Sequence, residues 1–456
     1  MKLIVVGLGF GDEGKGSTTD YLSSAFDIDT VARYNGGCQA AHNVYANSIH
    51  HLFSQFGSAT LNQAKTILTK YMLVEPIRFL NEADVLIQEG FNNIFDQIYV
   101  SEECVITTPV HRLICCLKEL SRNQPKGTVG LGIGETVADI NRGSFLKVKD
   151  LVDPNQAKFI LNGMWVSKID IAEQLIESHP DNKEMQELFQ SFKQVKSVET
   201  TMNIYLDWYE KIFKNILSDE VIFDFINQND IIFEGSQGTL IDQSSGFSPY
   251  ITRTNCTISN AKSLVKGSVH SIGLTRAYFT RHGPGPFPTE SELNITEENN
   301  SFSFWQKGFR FGWLDMVLLK YSLAINREID SIGLTCVDKL FNFDQIKVCT
   351  HYHYQGSNLD LAHQYFDFDS NHPRDMLNLK TTPKPEILSI LSDCIPVYRN
   401  FYSWKEFSTL TNLGDLPKEL KEYINYIEEQ TCVPISLISY GPDRQQKLLI
   451  KPQLLT

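Results

Sequence analysis

The sequence predicts an α/β fold: a large, mostly parallel, doubly wound sheet flanked by helices, with a P-loop-like nucleotide site. Three observations predict it. Leu3 to Val6 is a short, unbroken apolar run that ends in glycines, as a central parallel strand buried on both faces does. A glycine-rich loop follows, and Ser17 to Phe26 then reads as a helix, completing the opening unit of such a sheet. Later apolar runs end in comparable turns. Asp230-Ile-Ile-Phe233 leads into Glu234-Gly-Ser-Gln-Gly238, Ser271 to Leu274 and Ser331 to Thr335 are similar, and Ser436 to Tyr440 runs into Gly441-Pro442. Ligands of open α/β sheets collect at the carboxyl ends of strands, and most polar motifs of this chain fall there.

Between these runs, residues 168–228 carry charged and apolar residues at helical spacing, within a helical insertion expected at about 150–228. Residues 283–313 hold Gly-Pro-Gly-Pro-Phe-Pro and then an Asn/Glu/Ser-rich stretch, so they read as long substrate loops. No repeat or linker divides the chain, and residues 1–456 are expected to form one large domain. The net charge is −13, which disfavours nucleic acid as a partner because that binding rests on cationic neutralisation. The nine cysteines are scattered with no Cys-x-x-Cys pair, as in a reduced cytoplasmic protein; Cys115 and Cys116 are expected to pack in a core. No apolar run approaches the roughly 18 residues of a membrane span. His351 and His353 alternate as two ligands on one strand face would, but without a third ligand they read as exposed strand residues.

Gly9-x4-Gly14-Lys15 has the Walker A spacing, with Gly16 where a Ser or Thr is usual. Glycines let backbone N–H groups approach phosphate oxygens, and the following helix N-terminus favours negative charge. Lys15 adds a point charge. Asp12 is the unusual member: a carboxylate beside phosphates repels them unless it ligates Mg²⁺ or handles a proton. The loop therefore predicts chemistry as well as binding.

At Gly11-Asp-Glu-Gly-Lys-Gly16 the sequence resembles the adenylosuccinate synthetase family. Further matches follow in the same order: Arg33-Tyr-Asn-Gly-Gly-Cys-Gln-Ala-Ala-His42, Phe233-Glu-Gly-Ser-Gln-Gly-Thr-Leu-Ile-Asp242, Pro249-Tyr-Ile-Thr252, Gly285-Pro-Phe-Pro-Thr-Glu290, Gly312-Trp-Leu-Asp315 and Ser439-Tyr-Gly-Pro-Asp-Arg444. The resemblance implies a GTP-dependent ligase that phosphorylates the 6-oxygen of a purine nucleotide, inosine monophosphate or a close analogue, and displaces the phosphate with an amino-acid amine, working as a homodimer with Mg²⁺.

Residue roles follow from the resemblance. Asp12, His42 and Lys15 would be catalytic: Asp12 takes the proton from purine N1, and His42 donates to O6. Gly11, Glu13, Gly14, Lys15, Gly16 and Ser17 would hold GTP phosphates, with Asp338, Ser439, Gly441 and Pro442 at the guanine. Asp12, Gln39, Thr128, Val129, Arg142, Gln237 and Thr252 would hold the purine monophosphate, Arg142 being lent across the dimer. Asp12 and Ala41 would ligate the metal.

Two segments depart from the family. The family's Thr-Thr-Gly-Arg-Arg-Arg-Arg-Thr-Gly-Trp, whose arginines bind both carboxylates of aspartate, is replaced by Phe304-Trp-Gln-Lys-Gly-Phe-Arg-Phe-Gly-Trp313. Aligned without gaps, only Lys307 and Arg310 keep a positive charge for the amine donor. Losing two guanidinium forks weakens recognition of a dicarboxylate, so the donor is expected to be less charged or larger than aspartate. On the nucleotide side, Leu131 and Glu135 replace an arginine and a proline, and Cys336 replaces the lysine of a Thr-Lys-x-Asp motif. A phage-encoded branch of the family acts on deoxyguanylate and carries a smaller residue at the loop aspartate; Asp12 argues against that branch. The competing reading is a catalytically weak regulatory relative that senses GTP or a purine monophosphate.

Overall fold

Ten strands make the main sheet: β1 (Lys2–Gly7), β2 (Thr30–Arg33), β3 (Lys65–Leu68), β4 (Ile98–Ser101), β5 (Ile216–Leu217), β6 (Ile231–Gly238), β7 (His270–Arg276), β8 (Ser331–Thr335), β9 (Ile435–Ser439) and β10 (Lys447–Leu449). Their spatial order is β10-β9-β8-β7-β1-β6-β2-β3-β4-β5. Every pairing is parallel except β9 with the edge strand β10. The computed structural model describes residues 1–341, 343–407, 410 and 412–455.

The apolar run that predicts β1 is central because Leu3, Ile4 and Val5 are wholly buried. β1 lies between β6 and β7, and the winding reverses across it. Such a reversal opens a crevice at the carboxyl ends of the strands, and β1, β6, β8 and β9 all deliver their polar turns to that edge.

The helical stretch resolves into Pro154–Glu177, Lys183–Val195, Val198–Ile212 and Asp219–Gln228. Side chains start several of them: Asp153 accepts from the Asn155 and Gln156 amides, and Ser197 from Thr200. Their apolar faces bury Tyr205 and Trp208 against Phe79 and its neighbours. No helix among the described residues is long and apolar enough to cross a membrane.

Part of the segment expected as loops is a strand. Phe309–Gly312 pairs antiparallel with Phe279–His282, setting Arg310 opposite Arg281 and Phe309 opposite His282. The alternation Phe309-Arg310-Phe311 suits a hairpin arm. A second sheet lies beyond it, built from Leu314–Asp315, Gln345–Tyr354, Asp375–Leu379, Phe366–Phe368 and Cys394–Tyr402. His351 and His353 sit on its long strand and share the Asp375 carboxylate, at 3.5 and 2.7 Å. Among the described residues no group of three or more His, Cys, Asp or Glu is arranged to hold a metal ion.

Candidate active site

The phosphate loop leaves β1 at Gly7 and enters a helix, α1 (Lys15–Phe26), through Gly14 in the left-handed region. Its shape is set from within. The Glu13 carboxylate accepts from the amides of Gly9 (3.0 Å) and Gly11 (2.7 Å) and from Lys15 Nζ (2.6 Å). Glu13 and Lys15 are 2% and 3% exposed, so this acid can reach a phosphate only through its backbone. Gly7 and Gly9 are required beside it, since a Cβ on either would meet the Glu13 side chain at 2.2 or 3.0 Å. Thr335 at the end of β8 donates to the Glu13 carbonyl at 3.0 Å and ties the loop to the neighbouring strand. Asp12 is thereby held with φ +64°, its carbonyl accepting from Arg276 Nε at 2.6 Å. Its carboxylate is 3.6 Å from His282 Nε2.

His42 opens a short hairpin (His42–Ala46 with Ile49–Phe53). Its Nδ1 is 2.6 Å from Glu234 on β6. Glu234 is wholly buried and also accepts from the amide and hydroxyl of Ser58. Burial alone would raise its pKa, but the charges of Arg33 and His42 and the hydrogen bonds from His42 and Ser58 hold it at about 2. Burial pushes His42 down from its ordinary value, against the pull of Glu234. Nδ1–H therefore donates to an ionised carboxylate, and Nε2 is left for a ligand. The Glu234 motif is legible in the sequence but this pairing is not, because the partners are 192 residues apart.

These groups face one cavity of about 1020 Å³, enough for more than one substrate. Gly11, Asp12, Gly14, Lys15, Gly16, Ser17, Ala41 and His42 form its floor. On one side lie Gln39, Thr128, Val129, Gln237, Thr252 and Arg142. Gln237 has φ +64°, and its Oε1 is 3.4 Å from the Thr254 hydroxyl. Both amide atoms of Gln39 are buried with no protein partner, a pair of polar groups awaiting a ligand. Arg142 stands at the rim, 62% exposed, 3.4 Å from Asp139.

Asp338, Ser439, Gly441 and Pro442 line the opposite end. Burial raises the pKa of Asp338. The turn after β9 is pinned to α1 by Arg444, which grips buried Asp20 with Nε and Nη2, both at 2.7 Å. Cys116 is buried as expected, whereas Cys115 reaches the cavity and lies 3.3 Å from the Thr128 hydroxyl. Glu13, Lys307 and Arg310 stand outside the cavity wall. Lys307 lies over the Phe304 ring at 4.9 Å, and Arg310 is turned back onto the carbonyls of Gly283 and Gly285.

A phosphate loop at the reversal of a parallel sheet, opening on a cavity of this size, defines a nucleotide-binding α/β protein. The family model described as adenylosuccinate synthetase matches residues 4–448, and the chain belongs to that family. It is 31% identical over 462 residues to adenylosuccinate synthetase 1 of Photorhabdus laumondii, covering 99% of this chain and 100% of the relative. It is 31% identical over 465 residues to the adenylosuccinate synthetase of Flavobacterium johnsoniae, covering 98% and 99%. The fully ligated adenylosuccinate synthetase of Plasmodium falciparum has the same fold, with a TM-score of 0.78 at 23% identity over 98% of this chain and 99% of that one. A succinoaminodeoxyadenylate synthetase of cyanophage S-2L shares the fold more distantly, with a TM-score of 0.56 at 12% identity over 99% and 97%. The family's general chemistry is GTP-dependent ligation on a purine nucleotide.

Proposed function

We propose that this protein is a GTP-dependent carbon–nitrogen ligase acting on the 6-position of inosine monophosphate or a close analogue, with an amino-acid amine as donor. The observation that carries the reading is that Asp12, Lys15 and His42 face one cavity, with His42 oriented by an ionised Glu234. Asp12 takes the N1 proton, which makes O6 nucleophilic. O6 attacks the γ-phosphorus of GTP, and the P–O bond to GDP breaks. Lys15 and the loop amides hold the phosphates in line, and His42 Nε2 faces O6 as charge moves through it. The donor nitrogen then bonds to C6. The C6–O6 bond breaks with its electron pair going to phosphate, and one amine proton leaves with it.

Gln39 and Gln237 read the purine edge, since a carboxamide donates and accepts at once. Thr128, Val129 and Thr252 hold the 5′-phosphate. Asp338 pairs with guanine N1–H and the 2-amino group, with Ser439, Gly441 and Pro442 flanking the base. Mg²⁺ belongs to this proposal. One carboxylate, Asp12, and the only donor atom Ala41 can offer, its carbonyl oxygen, suit an ion held mainly by phosphate oxygens and water; when bound it would neutralise phosphate charge. A cytoplasmic homodimer in which Arg142 serves the partner's cavity completes the reading.

The cyanophage protein was captured with dGMP and with dATP as energy donor. Asp12 favours a purine without a 2-amino group here, because a carboxylate facing N1 accepts its proton and crowds a neighbouring amine. The test is GDP release with purine monophosphates crossed against an amino-acid panel. Release that needs both co-substrates supports the ligase; no release from any pair removes it.

A further inference from the structure

The side of the cavity that carries Thr128 and Thr252 also carries Lys118, Arg122, Lys126 and Arg253, with the carboxylates of Glu119 and Glu135 among them. Both carboxylates are paired. Glu135 accepts from Lys118 Nζ through each oxygen at 2.8 Å, and Glu119 accepts from Arg122 Nη1 and, at 2.8 Å, from the Gly127 amide. Among the described residues nothing hydrogen-bonds or ion-pairs with the side chain of Lys126 or of Arg253. The two stand near each other although they come from distant segments. Partial burial, then the like charges of Arg122 and Arg253, lower the Lys126 pKa against the pull of Glu119.

Both side chains spring from the backbone that carries the two threonines: Lys126 is two residues before Thr128, and Arg253 follows Thr252. The Arg253 stem crosses the first turn of the helix Ile133–Arg142, where a Cβ on Gly134 would lie 3.3 Å from its Cγ. That helix begins at Gly132, in the left-handed region, with no side-chain cap, so its first amides favour an anion. Threonine hydroxyls and helix amides offer hydrogen bonds but little charge. A phosphate monoester carries about −1.5 to −2 charges at pH 7 and has three acceptor oxygens, and the chain as a whole, at −13, repels it. The uncompensated cations on this side offset that charge. Arg253 can meet two oxygens with one fork, and Lys126 adds a point charge.

We propose that Lys126 and Arg253 hold the 5′-phosphate of the purine monophosphate and supply the positive charge that Thr128 and Thr252 lack. The inference rests on the ligase reading for the identity of the ligand, and on the two unpaired cations for where its phosphate lies. It adds to the site two residues that belong to the same chain as the cavity. A group with a single charge would leave one of the two cations unmet, whereas a phosphate reaches both.

The test is calorimetric titration of inosine, guanosine and adenosine monophosphates into the full-length protein preloaded with GDP and Mg²⁺, followed by the tightest of the three into Lys126→Ala and Arg253→Ala. Both side chains are exposed to solvent, so neither substitution opens the core, and an unchanged Tm checks this. Each variant is expected to bind the monophosphate about tenfold more weakly and GDP as before. Unchanged monophosphate affinity in either variant overturns the inference, and so does a wild-type protein that binds none of the three. The matching nucleoside separates phosphate from base: its affinity should not change, and an equal loss for nucleoside and monophosphate also overturns the inference. Aspartate is titrated with the monophosphate saturating. A loss that falls on aspartate and spares the nucleotide assigns the two cations to the amine donor, and the inference falls. GDP release is read in parallel. Its absence with every donor removes the ligase reading alone, because the titrations read the phosphate site without turnover.

Discussion

A Cβ placed on Gly16 would lie 2.5 Å from the Cβ of His42 and 2.8 Å from the Ser58 hydroxyl. The position where a phosphate loop usually carries a hydroxyl is here occupied from across the cavity by the histidine. Gly16 is therefore what lets His42 stand beside the loop, and the loss of the usual Walker A hydroxyl is the cost of a second catalytic group. Gly16→Ser, which restores the usual residue, is expected to displace the imidazole and lower kcat for GDP release by about 10²-fold or more, the scale of a lost general acid. The loop amides held by Glu13 remain, so GTP affinity should change far less. Near-normal kcat in that variant would show that His42 does not need this space.

The His42–Glu234 pair gives a prediction in two measurements. Glu234→Gln keeps the size but removes the ionised acceptor that fixes the Nδ1–H tautomer, and kcat should fall by roughly 10²- to 10⁴-fold with little change in nucleotide KM. The variant should also be less stable, in a pH-dependent way. The folded pKa of Glu234, about 2, is below its ordinary 4.5. Its stabilisation is thus fully present above 4.5 and is lost as pH falls through the folded value. The Tm gap between wild type and variant should narrow as pH falls below 4.5, as thermal melts across that range would reveal.

How far the site was legible in the sequence depends on the distance over which each feature is encoded. β1, the loop and α1 are contiguous, and an unbroken apolar run followed by glycines specifies them locally. Glu13 reads as a phosphate-side acid because it sits in the loop; only the fold reveals that its carboxylate turns inward onto Gly9 and Gly11. The second sheet has no local signature, because Gln345–Tyr354 finds its long partner at Cys394–Tyr402, beyond two intervening strands. Counting back from Gly312-Trp313 puts Arg310 on the donor, but the hairpin with Phe279–His282 aims it at Gly283 and Gly285 instead. His282 carried no signal at all; its approach to Asp12 exists only after β7 and the hairpin bring them together.

The Arg444–Asp20 contact couples stability to nucleotide affinity. Asp20 is wholly buried, and burial raises its pKa against the opposing hydrogen bonds and charge of Arg444. Arg444→Ala leaves that acid without its guanidinium partner beneath the turn that carries Ser439, Gly441 and Pro442. Breaking one partner of a buried pair costs roughly 3–5 kcal/mol, so a lowered Tm is expected together with a raised KM for GTP. Arg444→Ala with Asp20→Asn removes the orphaned charge and should recover part of the Tm, but little of the KM. Recovery of both would mean the turn is held by other contacts.

Asp12→Ala is expected to abolish turnover while leaving GTP binding largely intact. The loop does not depend on this side chain: Glu13 shapes it from below, and Arg276 and Thr335 hold its carbonyls. Alanine at φ +64° adds backbone strain of roughly 1–2 kcal/mol, so lost activity in that variant alone would be ambiguous. Asp12→Asn separates the effects, because asparagine tolerates the left-handed region yet cannot accept the N1 proton. If Asp12 is the base, both variants lose GDP release and both retain GTP by equilibrium titration. An active Asp12→Asn variant would assign the proton to another group, and His282, 3.6 Å away, would be the first to substitute.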